Sequence, residues 1–394
     1  MIILVFCASF SRGAFFDMIY LDNSSTTFVS PKVVQTIFEA MQEFPGNPSS
    51  LHSLGARANQ KLESCRKQVA ELIDSGDGKV FFAGSGTEAD NLALFGHANA
   101  RKRRGNRIVT CTWEHDAVLQ PLRALKEQGF EVVLQDPEKN GELDIEKLAY
   151  HADEKTILVT VMLVNNETGA VADIRKLSRL VRAKSPNAAI HCDCVAAFGK
   201  LRFSAHELGA DSVALSGHKI HAPKGIGALW LKKGVRLSPL FLGGGQEQSI
   251  RPGTENLAYI TGFAAACEEA VLQQSKNFTN TSQLRQILDN QLKNIDSIRI
   301  NSPLSASPYI CNISVPGYKS ESMLHYLDQK GIQVSSGSAC SGGKKSHVLS
   351  SMGLSPALID SALRISFCAA NTSSDVFALA EALKSGINEL VKAR

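Results

Sequence analysis

The sequence predicts an α/β protein with two domains, a large one built on a mostly parallel seven-stranded sheet and a smaller α+β one. From about residue 79 the chain alternates short apolar runs with segments of helical periodicity, which is typical of parallel strands joined by helices. After about residue 276 this alternation gives way to a less regular mixture of strand-like and helical segments. A length of 394 residues, of which 44% are hydrophobic, is sufficient for two domains with substantial cores.

The candidate strands of the large sheet are separated in several places by helical patterns, near residues 87–104, 115–128 and 173–184. In sheets of this kind, ligands bind beyond the carboxyl ends of the strands. We therefore expect the functional residues to follow the strands directly in the sequence. The seven candidate strands are residues 79–82, 107–111, 131–134, 156–161, 188–192, 212–215 and 227–231.

The change in pattern also predicts the domain division. Residues 30–275 form the large domain, and residues 18–29 join residues 276–394 in the small domain. Residues 1–17 are interpreted as an N-terminal extension, with translation starting at Met18, and a weak signal peptide is the alternative. The elements expected around and beyond the boundary are a long helical stretch at 257–294, a strand-and-loop region at 298–315, and helices at 321–330 and 373–392.

Composition argues against several classes of function. The net charge of +4 is too small to indicate nucleic acid as the main partner. Nine cysteines without a CxxC pair fit the reduced thiols of a cytoplasmic protein, and neither disulfides nor a metal site are predicted. The apolar run at residues 1–8 is too short to span a bilayer, so no membrane association is expected.

A lysine and a carboxylate follow two neighbouring candidate strands. Lys219 ends the stretch Ser216-Gly217-His218-Lys219 after residues 212–215, and Asp193 follows residues 188–192. Pyridoxal phosphate needs a lysine that forms a Schiff base and a carboxylate that keeps its pyridine nitrogen protonated. Taken alone, Lys219 is better interpreted as a surface lysine in a loop.

Two further strand ends carry polar groups that suit the same cofactor. Gly86 and Thr87 open a candidate helix after residues 79–82, where backbone N–H groups and hydroxyls suit a phosphate. Ser216 and His218 offer additional donors. His115 follows residues 107–111 and is placed to stack on an aromatic ring and transfer a proton. The alternatives are a bare tight turn and a surface histidine.

The small domain contributes a cysteine and an arginine. Cys340 lies in a run of glycine and serine at residues 335–343, which favours a nucleophile carried on a loop, and a spare thiol in a linker is the alternative. Arg364 suits a bidentate pair with a substrate carboxylate, and a structural salt bridge is the rival interpretation. In the large domain, Asn165 and Asn166 precede Gly169 in a predicted turn.

Taken together, these motifs resemble those of the cysteine desulfurases of the NifS/IscS type, within the class V aminotransferase group of pyridoxal-phosphate enzymes. The match runs in order over residues 19–370 and rests on several motifs jointly. They are Tyr20-Leu21-Asp22-Asn23-Ser24-Ser25-Thr26-Thr27, Gly46-Asn47-Pro48-Ser49-Ser50, Thr87-Glu88-Ala89-Asp90-Asn91, Glu114-His115, Val164-Asn165-Asn166-Glu167-Thr168-Gly169, Ser216-Gly217-His218-Lys219, Gly243-Gly244-Gly245-Gln246-Glu247, Arg251-Pro252-Gly253-Thr254 and the Cys340 loop.

The resemblance implies the fold of the pyridoxal-phosphate-dependent transferases (fold type I) and the conversion of L-cysteine to L-alanine. Lys219 would hold the cofactor as a Schiff base, Asp193 would pair with its ring nitrogen, and His115 would stack on the ring. Cys340 would take the sulfur as a persulfide and donate it to an acceptor such as an iron–sulfur scaffold protein, for iron–sulfur cluster assembly or tRNA thiolation.

The resemblance also implies how the cofactor and the substrate are bound. Thr254 would reach the phosphate of the neighbouring subunit, which implies a homodimer with shared sites. Asn166 would contact both the cofactor and the substrate carboxylate, which Arg364 also binds, with Asn47 nearby. The remaining phosphate ligands would be Gly86, Thr87, Ser216 and His218.

One departure from the family pattern concerns the cofactor. The family usually has Gln three residues after the pyridine-binding Asp, where it hydrogen-bonds the ring hydroxyl, and this chain has Ala196. Two other functions remain open at this point. They are a selenocysteine lyase or another class V activity, and a degenerate homologue that serves as a binding scaffold.

Overall fold

The computed structural model describes residues 18–336 and 345–392, and its largest element is a seven-stranded sheet. The strands are β2 Lys79–Ala83, β3 Arg107–Cys111, β4 Glu131–Gln135, β5 Thr156–Thr160, β6 Ala189–Asp193, β7 Ser212–Ser216 and β8 Gly227–Leu231. Their order is β2-β8-β7-β6-β5-β3-β4, and β8 alone runs antiparallel to its neighbours. The central strands β5, β6 and β7 are buried along their whole length, as expected for a sheet covered on both faces.

Helices cover this sheet, and their ends follow local sequence signals. Up to residue 292 they are α1 Pro31–Glu43, α2 Ser53–Leu72, α3 Gly86–Arg101, α4 Asp116–Glu127, α5 Ile145–Tyr150, α6 Ile174–Lys184 and α7 Leu257–Leu292. Helix α1 begins at Pro31, a residue favoured at a helix start, and Ser30 caps it by accepting from the Val33 N–H. In α6, Ile174, Leu177 and Val181 form the buried stripe of an amphipathic helix.

A second, smaller sheet is built from strands near the end of the chain. The remaining strands are β1 Ile19–Tyr20, β9 Arg299–Ile300, β10 Ile310–Ser314, β11 Ile332–Gln333, β12 Ser335–Ser336 and β13 Ala362–Ser366. The remaining helices are α8 Ser320–Gln329, α9 His347–Ser351, α10 Pro356–Asp360 and α11 Ser373–Glu389. The sheet has the order β12-β13-β10-β9, and β1 pairs with β11. Its hydrophobic core contains Leu21 together with side chains from residues 284–383.

Helix α7 spans 36 residues and contributes to both hydrophobic cores. Leu257, Ile260 and Phe263 pack in the core of the large sheet, whereas Leu284 and Leu288 pack in the second core. None of the helices in the described part of the chain is long and apolar enough to cross a bilayer.

The predicted α/β class and the seven strands are confirmed, with strand ends shifted by a few residues at most. The sequence interpretation did not identify α1, α2, α5, α9 or α10. The division into domains at residues 275 and 276 stays a prediction, and this boundary falls inside α7. The predicted N-terminal extension at residues 1–17 lies outside the described residues.

Candidate active site

A cavity of about 250 Å³ lies at the carboxyl ends of the parallel strands. It is lined by side chains that follow β2, β3, β5, β6 and β7, so the topology brings together residues far apart in sequence. Eight residues predicted from the sequence line it: Gly86, Thr87, His115, Asn166, Asp193, Ser216, His218 and Lys219.

Lys219 lies in the short 3-10 turn Gly217–Lys219 that follows β7. Its Nζ donates to the carbonyl oxygens of Ser24 at 2.5 Å and Ser25 at 2.8 Å. The Ser24 hydroxyl in turn donates to the carbonyl oxygen of Asn166, at 3.1 Å. The segment after β1 therefore holds the amine at the cavity, where it is half-buried rather than exposed on a surface loop.

Asp193 is the last residue of β6 and is only 4% exposed. Its Oδ1 accepts a hydrogen bond of 2.8 Å from the backbone N–H of Val195. Burial raises the pKa of this carboxyl to about 8, and the charge of Asp90 adds to the shift. A cation placed beside Asp193 would reverse this effect and make the carboxylate its counter-ion.

The first turn of α3 forms an open cradle at the cavity. Ser85 caps the helix by accepting from the Glu88 N–H at 3.1 Å, which leaves the N–H groups of the first residues available. A Cβ atom on Gly86 would lie 2.6 Å from Cγ2 of Val195 and 3.2 Å from Cβ of Ser216. The absence of a side chain at Gly86 therefore permits close approach of the neighbouring strand ends, and the exposed helix terminus suits a phosphate.

Two histidines at the cavity are held neutral. Burial, together with the charge of Lys219, lowers the pKa of His218 to about 4 and lowers the pKa of His115. His115 caps α4, because its Nδ1 accepts from the Ala117 N–H at 3.0 Å. The proton of neutral His115 is thereby assigned to Nε2, so this nitrogen is the donor that the ring can offer to a bound group.

Arg364 lies on β13, is 2% exposed and reaches toward the cavity wall. Its guanidinium donates to the carbonyl oxygen of Asn166 at 3.1 Å, to Oδ1 of Asp22 at 3.0 Å and to the hydroxyl of Ser25 at 2.5 Å. The structural salt bridge considered as the rival interpretation is thus present. The Nε atom has no hydrogen-bond partner among the described residues, so the group retains binding capacity beside Asn166.

Three predicted residues in the described part of the chain do not line this cavity. Asn47 and Thr254 are exposed, and Arg364 contacts the lining residues Asn166 and Ser25 from behind. Cys340 lies outside the described residues. Of the described residues that flank residues 337–344 in the sequence, Ser335 pairs with Arg364, and Ser346 donates to the carboxylate of Glu167 at 2.5 Å.

Asp90 is the main lining residue to which the sequence interpretation gave no role. It lies four residues after Gly86 on α3, which places both residues on the same helix face. This spacing from Gly86 was the only sequence signal that Asp90 lies near the cavity. The role of Asp90 depends on its contact with His191 on β6, which the sequence does not reveal.

The chain matches the family model described as aminotransferase class V over residues 19–379. The chain belongs to the class V aminotransferase family. A relative named cysteine desulfurase IscS 1, from Archaeoglobus fulgidus, is 38% identical over 95% of this chain and 98% of its own length. A cysteine desulfurase from Nostoc sp. is 36% identical over 95% of this chain and 94% of its own length.

Solved structures show the same fold. A NifS-like protein superposes with a TM-score of 0.88 at 33% identity, covering 95% of this chain and all of that one. A NifS-like protein from Rickettsia africae superposes with a TM-score of 0.84 at 30% identity, covering 95% of this chain and all of that one. The predicted resemblance is therefore confirmed.

Class V aminotransferases use pyridoxal 5'-phosphate, and the cavity fits this group. The Gly86 cradle suits the phosphate, Lys219 supplies an amine, and Asp193 supplies a buried carboxyl. Buried carboxyl groups without a cation are unfavourable, so the chemistry of these residues matches a ligand that carries both an anionic phosphate and a cationic ring nitrogen.

Replacing Ala196 with Gln is expected to tighten the binding of pyridoxal phosphate. Ala196 lines the cavity, so a longer amide side chain would project toward the cofactor and supply the hydrogen bond that this family usually makes. One such bond corresponds to roughly tenfold in the dissociation constant. Absorbance titration of the cofactor-free protein measures it. Ala117→Gln puts the same amide on another wall and should not tighten binding. An unchanged constant for Ala196→Gln would contradict the prediction.

Replacing Asp193 with Asn is expected to stabilise the cofactor-free protein at alkaline pH. The pKa of this carboxyl is about 8 when folded against a usual 3.8, so the folded state binds more protons between these values. Stability therefore falls as pH rises through that window, and Asn removes this loss. Between pH 5 and pH 8, we expect the stability of the variant relative to the unaltered protein to rise by about 3–4 kcal/mol. Urea unfolding at both pH values measures it. The exposed Asp296→Asn is the control, and equal pH dependence of all three proteins would refute the expectation.

Proposed function

We propose that this protein is a pyridoxal-phosphate-dependent cysteine desulfurase that converts L-cysteine to L-alanine and retains the sulfur as a persulfide on Cys340. The observation that carries the proposal is the convergence of Lys219, Asp193 and the Gly86 cradle on one cavity. The names of the relatives from Archaeoglobus and Nostoc support the choice of reaction within the family. They do not favour a selenocysteine lyase, another class V activity or a non-catalytic scaffold.

Each residue has a defined task in this proposal. The bound cofactor supplies an electron sink that weakens the bonds at the α- and β-carbons of the substrate. Lys219 holds it covalently, and Asp193 keeps its ring nitrogen protonated. Asn166 and Arg364 orient the substrate carboxylate, with Asn47 nearby. The remaining contacts are made by His115 to the ring and by Gly86, Thr87, Ser216 and His218 to the phosphate.

The sulfur transfer balances without an external oxidant or reductant. The Cys340 thiolate attacks the sulfur of the bound cysteine, an S–S bond forms and the Cβ–S bond breaks. The electron pair from that bond is protonated at the β-carbon, which becomes the methyl group of alanine. The products are therefore alanine and a persulfide, from one cysteine and one thiol.

The described cysteines support Cys340 as the nucleophile. The described part of the chain contains seven cysteines. Six of their thiols are buried, and that of Cys368 is partly buried. Burial raises the pKa of each, Cys368 included, which disfavours the reactive thiolate.

Adding L-cysteine to the purified protein loaded with pyridoxal phosphate tests the proposal. We expect one alanine for each sulfur recovered as persulfide, or as sulfide after a reductant is added. Alanine is measured by chromatography and sulfide by colorimetry. Absence of alanine above a protein-free control would overturn the proposed activity, and release of pyruvate in place of alanine would overturn the proposed bond cleavage.

The proposal extends to assembly and location. The protein would act in the cytoplasm as a homodimer, without membrane or nucleic-acid partners, and pass sulfur to an acceptor such as an iron–sulfur scaffold protein. Exposure of Thr254 and of the apolar Leu51 and Leu242 supports a shared interface. Sedimentation analysis tests it, and a monomer at working concentration would contradict the assembly.

A further inference from the structure

A continuous chain of four hydrogen bonds runs through the large domain to the cavity. Nη1 of Arg101 contacts Nδ1 of His97 at 2.9 Å, and Nε2 of His97 contacts the hydroxyl of Ser212 at 2.8 Å. The same hydroxyl contacts Nδ1 of His191 at 2.8 Å, and Nε2 of His191 contacts Oδ1 of Asp90 at 3.1 Å. We call Arg101, His97, Ser212 and His191 the relay.

The groups at its two ends fix the directions of the hydrogen bonds in the relay when Asp90 is charged. A guanidinium only donates, so Nδ1 of His97 accepts and its Nε2–H donates to Ser212. A carboxylate only accepts, so Nε2–H of His191 donates to a charged Asp90, and Nδ1 of the same neutral ring accepts from the Ser212 hydroxyl. Burial lowers the pKa of both histidines, to about 4 for His191, so both rings are neutral, and these tautomers are the ones that a charged Asp90 requires.

The relay ends beside the carboxyl that faces the cofactor. His191 and Asp193 are two residues apart on β6, so their side chains lie on the same face of the sheet. Asp90 lines the same cavity. Burial is the largest cause of the raised pKa of Asp193, and the charge of Asp90 is the second. Burial raises the pKa of Glu114 well above its usual range, and the charges of Asp193 and Asp90 add to this shift, whereas Lys219 lowers the pKa of Asp193.

We propose that Asp90 is a second carboxylate acting with Asp193 on the protonated ring nitrogen of pyridoxal phosphate, and that the relay positions it. This inference rests on the proposed pairing of Asp193 with that nitrogen. A second negative charge in a buried cavity strengthens the attraction for a cation. Arg101, His97, Ser212 and His191 are positioning residues, since they act through Asp90.

The charge on Asp90 depends on what surrounds it. Burial raises the pKa of this carboxyl well above its usual range, which favours the neutral form in the cofactor-free protein. The hydrogen bond from His191 favours the charged form, and so does a cation in the cavity. The relay therefore prepares Asp90 to ionise when the cationic ring binds.

The test compares two cofactors that differ only at the ring nitrogen. Cofactor-free protein is titrated with pyridoxal phosphate and with its 1-deaza analogue, in which carbon replaces that nitrogen. The measured quantity is the ratio of the two dissociation constants, analogue over cofactor. We expect Asp90→Asn to lower this ratio about tenfold and Ser212→Ala about threefold, while the analogue binds as tightly as it does to the unaltered protein.

Two further variants make the outcome decisive. Thr110→Val is the matched control for Ser212→Ala, because Thr110 is buried on β3 and its hydroxyl has no partner among the described residues. It should leave the ratio unchanged. Asp193→Asn calibrates the assay and should lower the ratio most.

The possible failures are distinguishable. If Asp193→Asn leaves the ratio unchanged, the proposed pairing of Asp193 fails and this inference fails with it. If Asp193→Asn lowers the ratio but Asp90→Asn and Ser212→Ala do not, only the inference about Asp90 is overturned. Equal weakening of both cofactors would show that Asp90 and Ser212 merely maintain the fold, and would overturn the inference as well.

Discussion

Replacing Lys219 with Ala is expected to abolish the formation of alanine from L-cysteine, with a loss of about 10³-fold or more in kcat. The cavity lysine is held by the carbonyl oxygens of Ser24 and Ser25, and its removal takes away the amine that anchors the cofactor. Borohydride reduction gives a second measurement. It should fix the cofactor covalently to the unaltered protein but not to the variant.

Lys233→Ala is the control, because this lysine is exposed and pairs with Asp77 at the surface. It should keep full activity and covalent labelling. If Lys219→Ala still formed alanine at the rate of the unaltered protein, the cavity at the strand ends would not be the catalytic site.

Replacing Cys340 with Ala should stop persulfide formation and reduce sulfur release by about 10³-fold or more, since the nucleophile is lost. Binding of L-cysteine should persist, because the proposed contacts of Asn166 and Arg364 do not involve the thiol. Trapping with a thiol-alkylating reagent followed by mass spectrometry measures the persulfide, and the absorbance change on adding L-cysteine measures binding.

Cys368→Ala is the matched control, because Cys368 is the least buried of the described cysteines. Its activity should equal that of the unaltered protein. Sulfur release from Cys340→Ala at the unaltered rate would remove Cys340 from the mechanism, and loss of activity in Cys368→Ala would point to that thiol instead.

The sheet was predictable because its signal is local. Buried parallel strands such as β5 and β6 are short apolar runs, and the polar residues that follow them mark the edge where ligands bind. Asp193 and Lys219 were found in this way. Their convergence on one cavity required only that neighbouring strands be parallel, which the alternation with helices indicated.

Other features depend on contacts between distant segments. Helix α2 begins at an unusual cap, His52, and contains Gly55, so its sequence carries a weak helical signal. Arg101 opens the basic run Arg101-Lys102-Arg103-Arg104 at the end of α3, a pattern typical of a solvated helix terminus, yet it donates to the buried His97. Its place in the relay depends on the contact between His97 and Ser212, which are more than a hundred residues apart, and no local pattern predicts that contact.

Helix α7 has a consequence for how the protein unfolds. At 1.5 Å per residue, its 36 residues form a rod about 54 Å long that is shared by both hydrophobic cores. Unfolding of either core would remove the packing contacts of one half of α7, and helices without tertiary contacts are only marginally stable in water. Partly unfolded states are therefore disfavoured, and loss of the second core is thermodynamically coupled to loss of the sheet that carries Lys219.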